Sequence, residues 1–191
     1  MSIFTSLLQK TSSVKSVCIL FIASHLILLA MMVFTFPVIN NQIGTKAFDL
    51  QPFGYSVSMA ESIVNNLNAQ TTQLYLFPQL TFLDLFYPLL LALFLSSLLF
   101  RFVNMESKLG SILVIIPFSA MFFDYSENIC IILMISKSIE ISESFVLFSS
   151  TCTILKGVLT SVAWIAIFVY GITWLRMKIK EKSTKLPLIK S

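Results

Sequence analysis

Two carboxylates and one amide lie in the middle of the third long apolar stretch of this chain. Asp124, Glu127 and Asn128 are three and four residues apart, so their side chains share one face of a helix. An Asp near the centre of a membrane-spanning helix opposes insertion by roughly 2.5–3.5 kcal/mol. Because a chain rarely keeps such groups in contact with lipid, the spacing predicts that this acidic face looks into a protein interior or a wet cavity.

Polar residues also follow one face of the fourth apolar stretch. Their intervals of four, three and four residues are typical of a helical stripe. The stripe consists of Ser149, Thr153, Lys156 and Thr160. We expect it to face the acidic face of the third stretch, with Lys156 paired with either Asp124 or Glu127. Beside it, Gly157 and Ser161 have the small-xxx-small spacing that lets helices approach closely.

Ionisable side chains occur at comparable depth in all four apolar stretches. With a helical rise of about 1.5 Å per residue, each falls in the central-to-outer half of a bilayer. They are His25, Asp84, Asp124, Glu127 and Lys156. This coincidence predicts one polar pocket that opens toward the outer leaflet. Asp124, Glu127 and Lys156 are the candidate catalytic residues, and the candidate ligand-binding residues are His25, Asp84, Asn128, Ser149, Thr153 and Thr160.

Two interpretations of this polar set stay open on the sequence. In the structural one, Lys156 neutralises one carboxylate and the other is protonated or hydrogen-bonded, so the set holds the helices together. In the functional one, the set lines a pocket that binds or converts a lipid or other apolar small molecule. An enzyme of this kind would use Glu127 or Asp124 as general acid or base, tuned by Lys156. The residue types do not decide whether the protein is an enzyme, and they identify no cofactor.

A different class of function is also compatible with the chain. A small apolar protein with little mass outside the membrane fits a non-catalytic subunit or assembly factor of a larger membrane complex, or a homo-oligomer. Its buried charges would then dock partner helices. A metal site is not predicted, because the His and carboxylate candidates come from three stretches without a ligand-spacing motif.

The composition places the protein in the membrane class. Of its 191 residues, 57% are hydrophobic and only 12% are charged, whereas a soluble domain carries about 25% charged residues. Cys18, Cys130 and Cys152 all fall within apolar stretches and form no C-x-x-C pair, so neither a disulfide framework nor a zinc site is indicated. The net charge of +4 comes largely from the C-terminal tail and gives no reason to expect a nucleic-acid partner. Membrane lipids are the expected surroundings.

The predicted fold is an all-α bundle of four transmembrane helices. The predicted spans are 16–37, 79–103, 110–135 with Pro117 as a probable kink, and 145–174. Together they form one transmembrane domain, residues 16–175, between an N-terminal segment (1–15) that suits a short interfacial helix and a basic tail (176–191). Short loops join the last three spans, so a division into two domains is not expected.

The first connection, residues 38–78, is long enough to hold structure of its own. Ser58 and Glu61 have the spacing of a capping box, and apolar residues follow at helical intervals. The pattern predicts an external amphipathic helix over 58–69. We expect it to lie on the membrane surface or over the mouth of the bundle, where it could act as a lid.

Lysine and arginine placement predicts the orientation in the membrane. With a cytoplasmic N-terminus, ten basic residues fall on the cytoplasmic side and only Lys46 and Lys137 on the other. The ten are Lys10, Lys15, Arg101, Lys108, Arg176, Lys178, Lys180, Lys182, Lys185 and Lys190. Both termini are therefore expected in the cytoplasm, with loop 38–78 outside.

Overall fold

The computed structural model describes residues 3–184 and is helical from end to end. Its α-helices, in chain order, are α1 (Ile3–Thr11), α2 (Val14–Ala30), α3 (Phe36–Ile43), α4 (Val57–Asn66), α5 (Ala69–Leu74), α6 (Asp84–Phe102), α7 (Lys108–Ile135) and α8 (Glu143–Thr184). Two π-helical segments, Met31–Thr35 and Tyr75–Leu83, connect α2 to α3 and α5 to α6. The described residues contain no β-strand, which confirms the all-α prediction. Lys185 and Lys190 of the predicted basic tail lie outside them.

Four helical segments are long and apolar enough to cross a membrane. Span one is Val14–Ile43, span two Ala69–Phe102, span three Lys108–Ile135 and span four Glu143–Lys180. Three of them contain a predicted span, and span two covers all of 79–103 except its last residue, so their number and approximate position were predicted correctly. Span two is interrupted at Phe77, whose φ of −143° and ψ of 126° are extended. Its regular α-helical part, α6, therefore begins only at Asp84.

Local sequence signals account for the helix ends. The hydroxyls of Ser13 and Ser107 accept hydrogen bonds from the backbone N–H groups of the first turns of α2 and α7. Each such cap stabilises a helix by about 1 kcal/mol. Gly44 ends α3 with a φ of 71°, the left-handed conformation that glycine adopts without strain. Helix α7 continues through Pro117 as one α-helix.

Spans two, three and four form the centre of the bundle, and span one packs along span two. The N-terminal helix α1 also lies against α6, where Thr11 Oγ1 is 2.6 Å from Ser97 Oγ. At the same end, the rings of Phe102 and Trp174 are 5.7 Å apart. The N-terminal helix, the loop between α6 and α7 and the end of span four therefore share one end of the bundle.

The first connection packs against the opposite end. Helix α4 buries Ala60, Ile63 and Val64 in an apolar cluster with residues of spans one, three and four, as its amphipathic pattern predicted. The predicted capping box was wrong, however. The cap is Ser56, whose extended backbone lets its hydroxyl accept from Met59 N at 3.2 Å, so the helix begins at Val57.

Tyr55 fastens this connection to span four. Its backbone N–H donates to Ser150 Oγ at 2.8 Å, and its hydroxyl lies 2.6 Å from Ser149 Oγ. Gly54 makes the approach possible, because a Cβ there would stand only 2.2 Å from Ser150 Oγ. Burial, together with the nearby charge of Glu127, raises the pKa of Tyr55, so its phenol stays neutral and can act as a hydrogen-bond donor.

Candidate functional site

Lys156 of span four connects to both carboxylates of span three. Its Nζ lies 2.6 Å from Glu127 Oε2 and also contacts Asp124 Oδ1. Thr153, one turn earlier, donates a 2.6 Å hydrogen bond to Glu127 Oε1. The polar stripe of α8 thus faces the acidic face of α7, and Lys156 pairs with both carboxylates, whereas the sequence predicted a choice between them.

This ion cluster is buried but carries an excess of negative charge. Glu127 is fully buried, and the side chains of Asp124 and Lys156 are 11% and 19% exposed. One ammonium lies between two carboxyl groups, and it donates a hydrogen bond to Asp124 Oδ1. Since charge pairs gain strength where water is excluded, the cluster holds spans three and four in one register.

Asn128, the third member of the acidic face, turns toward span two. Its Nδ2 lies 3.4 Å from the backbone carbonyl oxygen of Asp84, and its Oδ1 has no hydrogen-bond partner. Asn128 therefore links spans three and two, beside the Lys156 contacts on the same face of α7. It does not line the cavity described below.

A second pair of carboxyl groups lies beyond the ion cluster. Asp84, only 5% exposed, begins α6 and lines the same cavity as Asp49 of the first connection. Asp49 Oδ2 accepts a 2.6 Å hydrogen bond from the hydroxyl of Tyr75. Asp49 Oδ1 and Asp84 Oδ2 are buried and have no hydrogen-bond partner among the described residues. Ionised carboxylates only accept hydrogen bonds, so neither of these two groups can donate to the other. A bound proton or a cation near them would satisfy both.

A cavity of about 300 Å³ joins these two acidic groups. Asp49, Asp84, Asp124 and Lys156 line its polar side, together with Thr160. Its apolar wall comes mainly from spans one, two and three, with Met31, Phe36, Leu91, Leu95 and Met121 among the lining residues. A mostly apolar cleft with a few convergent polar groups is the usual form of a small-molecule site.

The cavity has lining residues on spans one and four that are also exposed. Met32 and Gly157 both line it and both are exposed on the bundle surface. The prediction that Gly157 brings two helices together was wrong, because a Cβ at this position would meet no atom within 4 Å. Without a side chain, Gly157 instead leaves open space at the edge of the cavity.

The first connection covers the cavity with a short turn. A 3-10 turn, Phe48–Leu50, supplies Asp49 and Leu50 to the lining. The turn is held by the N–H of Phe48, which donates to Tyr75 Oη at 3.0 Å. Helix α4, which we expected to act as a lid, contributes no lining residue.

The structure separates the predicted site residues into three groups. Asp84, Asp124, Lys156 and Thr160 line the cavity. Glu127, Asn128 and Thr153 lie behind it in helix contacts, and the hydroxyl of Ser149 bonds to that of Tyr55. His25 lies elsewhere, with Nδ1 2.8 Å from its own helix's Phe21 carbonyl oxygen and its ring against Phe21 and Phe94.

Asp49 is the cavity residue that the sequence analysis missed. Its only local signal is an acid placed between Phe48 and Leu50 in a loop bounded by glycine and proline. Its role depends on the hydrogen bond from Tyr75 and on the cavity that it shares with Asp84, two residues that lie 26 and more positions away in the chain. Within the described residues, no group of three or more His, Cys, Asp or Glu side chains could hold a metal ion.

No family model, curated protein or solved structure matches the chain. The function must therefore follow from the geometry and chemistry of the site.

Proposed function

We propose that this protein is an integral membrane protein that binds a lipid or other apolar small molecule in the cavity between its four spans. The observation that carries the proposal is a cavity of about 300 Å³ with apolar walls and buried ionisable groups on one side. Ionisable groups inside a membrane protein oppose insertion, so their concentration around one cavity favours a function there. A subunit that only docks partner helices has no need of such a cavity.

Binding is better supported than chemical conversion. Glu127, a candidate general base, is fully buried and does not line the cavity, so a ligand there has no direct contact with it. Asp124 and Lys156 do line it, but each is engaged in the ion cluster. A group that transfers a proton must come within about 2.6–3.2 Å of the reacting atom. The ion cluster therefore acts as a support for the cavity wall.

The membrane is the proposed source of the ligand. The exposed lining residues Met32 and Gly157 lie on the lateral surface between spans one and four. A molecule dissolved in the acyl-chain region would enter there without crossing the loops. We propose that residues 44–68, which include helix α4, lie outside the bilayer and that both termini lie on the cytoplasmic side.

Native mass spectrometry of the protein in mild detergent tests this function. We expect the wild-type protein to retain a lipid or other small apolar molecule, and the Gly157→Phe variant to lose it. The Cβ of the new side chain meets no atom within 4 Å, and we expect the variant to fold with an unchanged melting temperature. Gly171→Ala is the matched control on the same helix, because its Cβ would meet only Phe102, at an ordinary van der Waals distance of 3.4 Å.

Two results would overturn the proposal. One is a wild-type protein without any retained molecule across several mild detergents. The other is equal retention by wild type and Gly157→Phe. Stoichiometric co-purification of other proteins, combined with either result, would favour the subunit function instead.

A further inference from the structure

Among the described residues, the buried hydrogen-bonding atoms of the cavity lining that lack a partner are acceptors. Asp84 Oδ2 and Asp49 Oδ1 are buried without a partner, and both residues line the cavity. The cationic residue of the lining, Lys156, is already held by Asp124 and Glu127. A ligand that brings a donor can satisfy the open acceptors, whereas a ligand that brings only acceptors leaves them unpaired. Buried unsatisfied polar groups are costly, so the first kind of ligand is favoured.

The charges around the cavity also favour a ligand that carries a hydrogen-bond donor with a positive charge. Three carboxyl groups, those of Asp49, Asp84 and Asp124, line it with one lysine, and Glu127 lies directly behind that lysine. At most two of these four acids face the ammonium of Lys156. A cation near Asp84 would be attracted strongly, because charge interactions are poorly screened where water is excluded. An anionic head group, such as that of a fatty acid, would be repelled by the same carboxyl groups.

The size of the cavity limits the rest of the ligand. About 300 Å³ is at the lower end of the range for small-molecule sites, so a two-chain phospholipid does not fit inside. The wall formed by Met31, Leu91 and Leu95 suits a compact ring system or a single alkyl chain. Asp84 lies at the polar end of this wall and is 5% exposed, so a head group bound there is removed from water.

We propose that the cavity selects an apolar ligand with a single positively charged amino group, which binds between Asp84 and Asp49. This inference rests on the proposed function and adds the ligand class to it. The ammonium donates hydrogen bonds to Asp84 Oδ2 and Asp49 Oδ1, and the apolar body lies toward Leu91 and Leu95. Tyr75 keeps Asp49 in place through its hydrogen bond to Oδ2.

Dodecylamine and dodecanol are suitable probes, since they share one chain and differ in head group. The full-length protein in nanodiscs of neutral lipid is loaded with either probe at the same mole fraction, and occupancy is measured by native mass spectrometry. We expect wild type to retain dodecylamine about tenfold more than dodecanol, the scale of a charge-assisted hydrogen bond. Partitioning into the nanodisc is the same for every variant, so a difference between variants reports the site.

Three variants locate the head group. Asp84→Asn and Asp49→Asn should each reduce the preference for the amine about tenfold, by loss of one charged partner. Glu61→Gln is the matched control, because Glu61 is exposed on α4 and does not line the cavity. Melting curves without probe identify any variant that does not fold. If Asp84→Asn fails that check, Asp49→Asn, in the connecting loop, decides.

The outcomes separate this inference from the function on which it rests. Equal retention of amine and alcohol, with both displaced in Gly157→Phe, would overturn the amine preference and leave the apolar site intact. Unchanged amine retention in the folded carboxamide variants would overturn the assigned head-group site. Retention of neither probe by wild type would count against both the inference and the proposed function.

Discussion

Lys156 Nζ lies 2.6 Å from Glu127 Oε2, a contact that crosses from span four to span three. The same ammonium contacts Asp124, one turn away on span three. A lysine that contacts two buried carboxylates contributes more to the stability of the fold than a lysine with one partner. Its removal leaves two charges uncompensated. Replacing a single partner of a buried ion pair typically costs about 3–5 kcal/mol.

The first prediction is that Lys156→Met is strongly destabilising. We expect a loss of at least about 3–5 kcal/mol in the free energy of unfolding, because both carboxylates stay buried without their cation. Adding Glu127→Gln should recover only part of this loss, since Asp124 still lacks a partner. The triple variant with Asp124→Asn should recover most of it. Unfolding in mixed micelles measures each step, and a stable Lys156→Met single variant would contradict the assignment of the ion cluster.

The second prediction concerns the hydrogen bond that orients Glu127. Thr153 donates to Glu127 Oε1 at 2.6 Å, so Thr153→Val should lose about 1.5–3 kcal/mol, the value for a bond to a charged group. Thr151→Val is the matched control on the same helix, because its hydroxyl is exposed and bonds to its own helix at Leu147 O. Thermal melts of both variants provide the comparison. Equal losses of stability in the two variants would show that the hydrogen bond from Thr153 to Glu127 contributes no additional stability.

The sequence predicted the parts of the fold that depend on local pattern. Four apolar stretches of sufficient length predicted the four spans, and helical spacing predicted that Thr153 and Lys156 would face Glu127. Such features follow from the 3.6-residue period of each helix and need no knowledge of distant contacts. The pairing of Lys156 with two carboxylates at once depends on the rotation of α7 against α8, which the spacing does not specify.

The cavity itself was less predictable, because it depends on how loops and helices meet. Asp49 is brought to Asp84 only by the path of the first connection, in which Phe48 is bonded to Tyr75. The depth of His25 along its helix suggested that it belongs to the polar set. The rotation of span one instead places the His25 ring against Phe94. Depth along a helix can be counted from sequence, whereas the direction in which a side chain points around an apolar helix cannot.

The third prediction compares two glycines with similar backbone angles. Gly54 and Gly44 have φ values of 80° and 71°, so alanine at either position costs about 1–2 kcal/mol in left-handed backbone strain. Only Gly54 lies against a neighbour, because its Cβ would stand 2.2 Å from Ser150 Oγ. Gly54→Ala should therefore lower the melting temperature more than Gly44→Ala. Similar losses in the two variants would mean that the contact between this loop and span four contributes little to stability.

The fourth prediction is the orientation of the protein in its membrane. Lys46 and Glu140 are exposed in connections at one end of the bundle, and Glu106 is exposed at the end that carries α1. With both termini in the cytoplasm, a membrane-impermeant maleimide should label Lys46→Cys and Glu140→Cys in intact cells. Glu106→Cys should react only after lysis.

The parent chain supplies the control for this labelling. Cys130 and Cys152 are buried, and Cys18 lies within the apolar part of span one, so the unsubstituted protein should stay unlabelled in intact cells. The strong bias of lysine and arginine toward the Glu106 end is the reason for the predicted direction. Labelling of Glu106→Cys from outside, with protection of Lys46→Cys, would invert the topology. It would also move the Asp49 turn, and the acidic end of the cavity, to the cytoplasmic leaflet.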